Sequence, residues 1–449
     1  MILRRLFAIG LVGTLVWCCD ASRQASSNQT SDTTPKKKSD DSDEVVIEIS
    51  PEIIRTDEPF CTEIHGLKPG ALIRVRLVGA STNGEWRSEI EIAADDVGTV
   101  DLERDAPISG SYTFADPMGL LWSMVWTPVE DGTAVDYLAL SSLTLGVLDE
   151  PGDELASTTI RRIYPTDELD YTLVSDDGLR ADLFSPKDEP LGCVLVLGGS
   201  EGGRATYLAT AIAFLGFEAF TPAYFGENGL PDELKAIPIE SVEAALDDFL
   251  EICGRAQVSL WGVSKGAELA ALLAAERPDA FNAVVLYSPS AVVNQGIYDG
   301  DGEISSWTIH GEALPFIPYD DDLIDYSSGL PDLFEGYRAP LSDRELVDAA
   351  RIPVDRISAP ILMVAGEDDG VWPAAMMAKM METYRIETHT DHPDDQLRTY
   401  PGAGHGVSYP YWPLTISYGM VKGGTVEGDA NATTDAWQAS FEFLARANK

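Results

Sequence analysis

Apolar and polar positions change period once along this chain. From Val45 to about Pro165 the pattern is that of β-strands. Val45-Val46-Ile47-Glu48-Ile49 and Ala71 to Leu77 are strand-like runs, and Arg87-Ser88-Glu89-Ile90-Glu91-Ile92 alternates polar and apolar residues. A period of two puts every second side chain on one face, and turn signals such as Asn83-Gly84 separate the runs. Short strands at regular spacing predict an all-β antiparallel sandwich over residues 45–165.

From about Thr166 strands alternate with helices. Val194–Leu197, Glu218–Thr221, Val258–Trp261, Ala283–Tyr287, Ile361–Ala365 and Gln396–Tyr400 read as strands. Tyr207–Leu215, Ser241–Ile252 and Ala267–Glu276 read as helices between them. This rhythm predicts a mostly parallel sheet covered by helices over residues 166–449. Residues 290–345, rich in Gly, Pro, Asp and aromatics, interrupt it and are expected to form a lid-like insertion over a site.

Ahead of both domains, Arg4-Arg5 precedes an apolar run from Leu6 to Trp17 and then Cys18-Cys19. The run is short for a membrane span and suits the core of a signal peptide, so residues 1–19 are read as an export signal, with an uncleaved anchor as the alternative. The paired arginines permit twin-arginine export. Cys18 or Cys19 is the candidate for lipid attachment. The expected location is extracellular or anchored on the outer face of a membrane; a cytoplasmic location follows if the segment is not a signal. Residues 20–44 hold Ser, Thr, Asp, Gln and Lys with almost nothing apolar, and read as a flexible tether.

Charge narrows the possible partners. The 74 acidic residues outnumber the 31 basic ones, giving a formal net charge of −43 scattered along all 449 residues. A field of that sign repels nucleic acid and anionic lipid, so no nucleic-acid partner is expected, and membrane attachment is expected only through the N-terminus. At molar salt the Debye length falls to about 3 Å and self-repulsion is quieted. The balance therefore fits a halophilic protein; an acidic secreted protein is the alternative. Cys61, Cys193 and Cys253 are too few and too widely spaced for a disulfide framework or a metal motif, and Cys193 and Cys253 are expected to be plain core residues.

The candidate chemistry starts at Gly262-Val263-Ser264-Lys265-Gly266, which follows a strand and opens a helix. Glycines permit a sharp strand-to-helix turn that projects the serine hydroxyl above the sheet, the nucleophile elbow of the α/β-hydrolase fold. A serine hydroxyl needs a base. Of the five histidines, His65 falls in the β domain, His389 and His392 in an acidic loop, and His310 in the loop-rich segment, where a surface position and a substrate contact are both open. His405, in Gly402-Ala403-Gly404-His405-Gly406, follows the last predicted strand, where this fold delivers its histidine. The acid is expected in Gly366-Glu367-Asp368-Asp369-Gly370, where Asp368 and Asp369 compete. The oxyanion requires two donors: the backbone N–H of Lys265, and that of Ser200 or Glu201 in Gly198–Gly203. That loop lacks the Lys-Ser/Thr of a phosphate loop and the spacing of a dinucleotide fingerprint, and no His, Cys, Asp and Glu cluster has metal spacing, so neither cofactor nor metal is expected.

Further motifs carry a family resemblance. Asp57-Glu58-Pro59, Gly66-Leu67-Lys68-Pro69 and Asp116-Pro117-Met118-Gly119-Leu120-Leu121-Trp122-Ser123 lie in the first domain. Ser305-Ser306-Trp307, Gly366-Glu367-Asp368-Asp369, Gly402-Ala403-Gly404-His405 with Pro410-Tyr411, and Gly423-Gly424-Thr425 lie in the second. Together they resemble the type I acyl-CoA thioesterases and bile acid-CoA:amino acid N-acyltransferases over roughly residues 45–449. The resemblance implies an α/β-hydrolase domain behind an N-terminal β domain and places the triad acid on Asp369. In that family conjugating members tend to carry cysteine and hydrolytic members serine, so Ser264 implies hydrolysis of an acyl thioester or acyl ester through an acyl-serine. An acyltransferase acting on an amine or alcohol is the alternative enzyme. A surface-binding protein on an inactive hydrolase scaffold is the non-enzymatic one, against which the complete Ser, Asp and His set speaks.

Overall fold

A computed structural model describes residues 44–449 apart from 52, 57, 131–133, 164–167, 177, 326, 328–330, 408 and 416–422. The expected signal with Cys18 and Cys19, the tether up to residue 43, Asp57, and the expected domain boundary at 165 lie outside the described residues. The chain divides into two compact units between Tyr164 and Pro165.

The first unit is built from β1 (Val46–Ser50), β2 (Ile54–Arg55), β3 (Cys61–His65), β4 (Leu72–Ala80), β5 (Gly84–Ala93), β6 (Val100–Asp101), β7 (Ser109–Gly110), β8 (Val125–Pro128), β9 (Ser142–Leu148) and β10 (Glu154–Ile163). They form a three-stranded sheet, β1-β3-β6, and a seven-stranded sheet, β2-β10-β9-β4-β5-β7, with β8 also on β5. The pairings are antiparallel except β2 with β10. The two-residue period explains the faces. In β4, Ile73, Val75 and Leu77 are buried, while Arg74 and Arg76 reach Glu89 of β5 at 3.5 and 2.5 Å. The short helix α1 (Gly119–Trp122) is pinned by Asp116, whose carboxylate accepts from the Met118 N–H at 2.7 Å and the Trp122 indole at 2.8 Å. A Cβ at Gly119 would lie 2.2 Å from the Tyr112 ring, so this turn requires glycine.

The second unit holds an eight-stranded sheet in the order β11-β12-β14-β13-β16-β17-β20-β21. Its strands are β11 (Leu169–Asp176), β12 (Leu179–Pro186), β13 (Cys193–Leu197), β14 (Glu218–Pro222), β16 (Val258–Val263), β17 (Phe281–Tyr287), β20 (Ile361–Gly366) and β21 (Gln396–Tyr400). β15 (Ile237–Pro238), β18 (Trp307–Ile309) and β19 (Glu312–Ala313) form a small separate sheet. β11 and β12 make an antiparallel hairpin where strand–helix alternation was expected to begin, and from β14 onward the pairings are parallel.

Helices α2 (Thr206–Phe214), α3 (Ile239–Cys253), α4 (Lys265–Glu276) and α7 (Ala374–Glu387) supply crossovers, and α8 (Val426–Ala447) follows β21; α5 (Phe334–Arg338) and α6 (Arg344–Ala350) lie in the inserted segment. The central strands are apolar on both faces because both are covered. Leu195, Leu197, Val284, Leu286, Ile361 and Met363 pack with α3, α4 and α7, while Val194, Val196, Ala283, Val285, Leu362 and Val364 pack with α2 and α8. Full burial of each of the Val, Leu, Ile and Met side chains among them contributes about 2 kcal/mol.

Two expectations are corrected. Cys193 and Cys253 are not plain core residues: they form a disulfide across 60 positions, with Cα atoms 6.5 Å apart. The parallel sheet brings the start of β13 beside the end of α3, a closeness that sequence separation does not reveal. The insertion at 290–345 is not a lid throughout. Ala291–Gln295 and Ser305–Trp307 are buried, and Ile237 and Pro238 of β15 pair with Trp307 and Thr308. The first part of the insertion belongs to the core because it satisfies buried polar groups of α4, described below.

Candidate active site

β16 ends at Val263 and α4 starts at Lys265, leaving Ser264 alone in the turn at φ 55° and ψ −121°. A side chain in that region costs about 1–3 kcal/mol and persists only where its surroundings hold it. Here they do: the Ser264 N–H donates to Tyr287 O at 2.9 Å. A Cβ on Gly262 would lie 2.3 Å from Gly266 O, and one on Gly266 would lie 2.1 Å from Gly198 O. Both flanking glycines are required by close approach of backbone.

Ser264 Oγ lies 2.9 Å from His405 Nε2, and His405 Nδ1 lies 2.7 Å from Asp369 Oδ2. The other carboxylate oxygen, Asp369 Oδ1, accepts from the N–H groups of Val371 at 2.8 Å and Trp372 at 3.2 Å. The two competing aspartates therefore have different partners. Asp369 is buried against the imidazole. Asp368 Oδ2 accepts from the Gly402 N–H at 3.0 Å and fastens the histidine loop. The Trp372 ring meets His405 edge-on, centroids 5.9 Å apart. His65 contacts Thr99 and Glu63, His310 is exposed beside Glu240, and His392 caps its own loop.

The start of α8 braces the base, which sequence reasoning missed. Gly404 N–H donates to buried Asp429 Oδ1 at 2.7 Å, and Thr425 N–H donates to Gly402 O at 2.7 Å. Thr425 also caps α8 by accepting from the Gly428 N–H. The signal available was Gly423-Gly424-Thr425 with an aspartate four residues on, at a helix start.

Burial opposes the charged form of His405, but Asp369, then Asp429 and Glu201, outweigh it and raise its pKa above the ordinary histidine value. A base must be neutral to accept a proton. The acidic limb of kcat/KM is therefore expected above the usual histidine midpoint, with activity lost as pH falls through it. Asp429→Asn should move that limb to lower pH, which a pH–rate profile on a neutral ester will read.

On the oxyanion side, Lys265 is the first residue of α4, so its N–H has no intrahelical acceptor. The Tyr224 hydroxyl lies 2.6 Å from Gly198 O and 3.0 Å from Gly199 O. In a trans peptide N–H opposes C=O, so the Ser200 N–H points away from Tyr224. The Glu201 side chain folds back over Gly198 and Gly199.

Beneath the elbow lies a buried polar network. Lys265 Nζ pairs with Glu268 at 2.9 Å, both side chains nearly inaccessible. Burial pushes the Lys265 ammonium below the ordinary lysine value, opposed by Glu268. Glu268 also accepts from the Asn294 N–H at 3.0 Å, the Asn294 amide at 2.9 Å and the Trp307 indole at 2.7 Å. These bonds anchor residues 294 and 307 to the helix that carries the nucleophile. Among the described residues, the grouping close enough for a metal ion is Cys193, Glu218 and Cys253, whose sulfurs are joined in the disulfide.

Two family descriptions match the chain: "Acyl-CoA thioester hydrolase/BAAT N-terminal region" over residues 57–176 and "BAAT / Acyl-CoA thioester hydrolase C terminal" over residues 248–448. Acyl-coenzyme A thioesterase 1 of Mus musculus is 28% identical over 405 residues, 86% of this chain and 93% of that protein. The mitochondrial acyl-coenzyme A thioesterase 2 of Rattus norvegicus is 28% identical over 406 residues, 86% of each chain. The peroxisomal succinyl-coenzyme A thioesterase of Mus musculus is 26% identical over 409 residues, 87% of this chain and 93% of that protein. With matches in both units and an α/β-hydrolase sheet behind the serine, the chain belongs to the acyl-CoA thioester hydrolase/BAAT family and is a thioester or ester hydrolase.

Proposed function

We propose that this is an exported serine hydrolase that cleaves acyl thioesters or acyl esters through an acyl-serine. Ser264 is the nucleophile, His405 the base and then the acid, and Asp369 the carboxylate that orients the imidazole. The Lys265 N–H, with that of Ser200 or Glu201, stabilises the oxyanion. The observation that carries this reading is the continuous contact from Ser264 Oγ through His405 to Asp369, at 2.9 and 2.7 Å.

The steps follow from that geometry. His405 Nε2 accepts the Ser264 proton as Oγ attacks the acyl carbon, and the carbonyl oxygen becomes an oxyanion facing the backbone donors. Collapse expels the thiolate or alkoxide, which takes the proton from the imidazolium. Water then attacks the acyl-serine, deprotonated by the same nitrogen, and the acid leaves. Asp369 holds the proton on Nδ1 so that Nε2 is free to accept. A serine rather than a cysteine nucleophile favours water over an amine as the second acceptor.

The relatives' names supply CoA thioesters as one substrate class. Export points elsewhere, because CoA thioesters are made and used inside cells. The Cys193–Cys253 disulfide supports an oxidising compartment. Lipid attachment at Cys18 or Cys19 and adaptation to high salt belong to the same reading, the latter supported by the charge of −43. Among the described residues no helix is long and apolar enough to cross a membrane.

A fluorophosphonate probe, applied at low and molar salt, is expected to label the wild type and not Ser264→Ala. No labelling of a folded sample at either salt would sink the assignment. In protein purified from its own host, Cys193 and Cys253 are expected to resist alkylation until a reductant is added. Two freely alkylated thiols in the unreduced protein would count against export.

A further inference from the structure

The loop after β13 brings a carboxylate to the nucleophile. A Cβ built on Gly199 would lie 2.8 Å from Glu201 Oε2 and 3.5 Å from Ser264 Cβ, and one on Gly198 would lie 3.0 Å from Glu201 Oε1. The carboxylate and the serine side chain thus border the same small space. Glu201 is exposed, and among the described residues no cation pairs with it. The cation three positions along the same loop, Arg204, and the one next to the nucleophile, Lys265, are committed elsewhere. Arg204 is held by Asp182 at 2.6 Å and Glu227 at 2.7 Å, and Lys265 is buried with Glu268 at 2.9 Å. A phosphate-bearing leaving group approaching Ser264 therefore meets an uncompensated negative charge, in a chain of net charge −43.

We propose that Glu201 is a specificity-determining residue that turns this site toward acyl donors with an uncharged or cationic leaving group and away from phosphate-bearing thioesters. The inference rests on Ser264 being the nucleophile. In the acylating step the leaving thiolate departs from the acyl carbon beside this carboxylate and takes its proton from His405. A cation carried by that leaving group is attracted to Glu201 throughout the step, and phosphates are repelled. Both effects shrink as salt shortens the Debye length.

The test uses three thioesters of one acyl chain, with thiocholine, its neutral carbon isostere 3,3-dimethylbutanethiol, or coenzyme A as leaving group. Each kcat/KM is measured on the wild type, Glu201→Gln and Glu201→Lys, at molar salt and at the lowest salt that keeps the protein folded by circular dichroism. The wild type is expected to prefer the thiocholine ester over its neutral isostere by about ten-fold at low salt, with the CoA ester slowest. Molar salt should compress that spread, Glu201→Gln should bring the thiocholine-to-neutral ratio near one, and Glu201→Lys should invert it. A wild type that turns over the CoA ester faster than the neutral one at low salt, or ratios unchanged in Glu201→Gln, would overturn the proposal. Absence of turnover on all three, together with no fluorophosphonate labelling of Ser264, would overturn the hydrolase assignment itself and the proposal with it.

Discussion

Ser264→Ala is expected to lower kcat about a million-fold on any ester or thioester that the wild type hydrolyses. Loss of the attacking oxygen removes the acyl-serine route altogether, because no second nucleophile contacts His405 Nε2 among the described residues. The residual rate over water comes from the backbone donors and from binding, which the substitution leaves in place. The fold should survive. Alanine keeps the Cβ, so the turn at φ 55° and the Ser264 N–H bond to Tyr287 O are unchanged. Steady-state kinetics with thermal melts of both proteins checks this. Activity within a hundred-fold of wild type at unchanged stability would mean that another residue carries the attack.

Asp369→Asn is expected to cost about 10⁴-fold in kcat with little change in KM. The reason lies in what each oxygen does. Oδ1 accepts from two backbone N–H groups, at Val371 and Trp372, so an asparagine will keep its carbonyl oxygen there. Its NH₂ must then face His405 Nδ1, where Oδ2 stood at 2.7 Å. An NH₂ donates, so Nδ1 becomes the acceptor and the proton moves to Nε2. The imidazole is then in the wrong tautomer to take the Ser264 proton. Loss of the carboxylate also removes the largest of the charges that raise the His405 pKa. Residual activity should therefore keep a pH limb displaced to lower values. Asp368→Asn is the control. Among the described residues its carboxylate accepts from the Gly402 N–H alone, a role an amide oxygen can fill, so a modest loss is expected.

Some elements were visible in the pattern because their side chains answer to local rules. The strands Val194–Leu197 and Ile361–Ala365 are continuous apolar runs, as a sheet covered on both faces requires, and Val258–Trp261 is broken only by Ser259. The elbow was legible because Gly262 and Gly266 leave no room for any other residue. Helix α7 was not legible. Its mixture of Ala, Met, Lys, Thr and Tyr has a weak apolar stripe, and it is helical because Met377, Ala378 and Met381 pack on the sheet. The antiparallel β11–β12 hairpin was hidden for a similar reason, since Tyr171 and Leu173 stand exposed at the sheet edge and blur the alternation.

Local chemistry in the sequence determined the two-domain plan, the α/β class of the second domain, the serine turn, the histidine loop and the acid loop. Each depends on residues within a few positions of one another, where steric demands and turn chemistry act directly. Tertiary structure alone decided what distant residues do together. It set Asp368 against Gly402, joined Cys193 to Cys253, placed Asp429 behind the base, and drew Asn294 and Trp307 onto Glu268. Those pairings depend on where β13, β20, β21 and the inserted segment end in space. That is fixed by how the sheet packs its helices, a property of the whole chain that no short stretch of it contains.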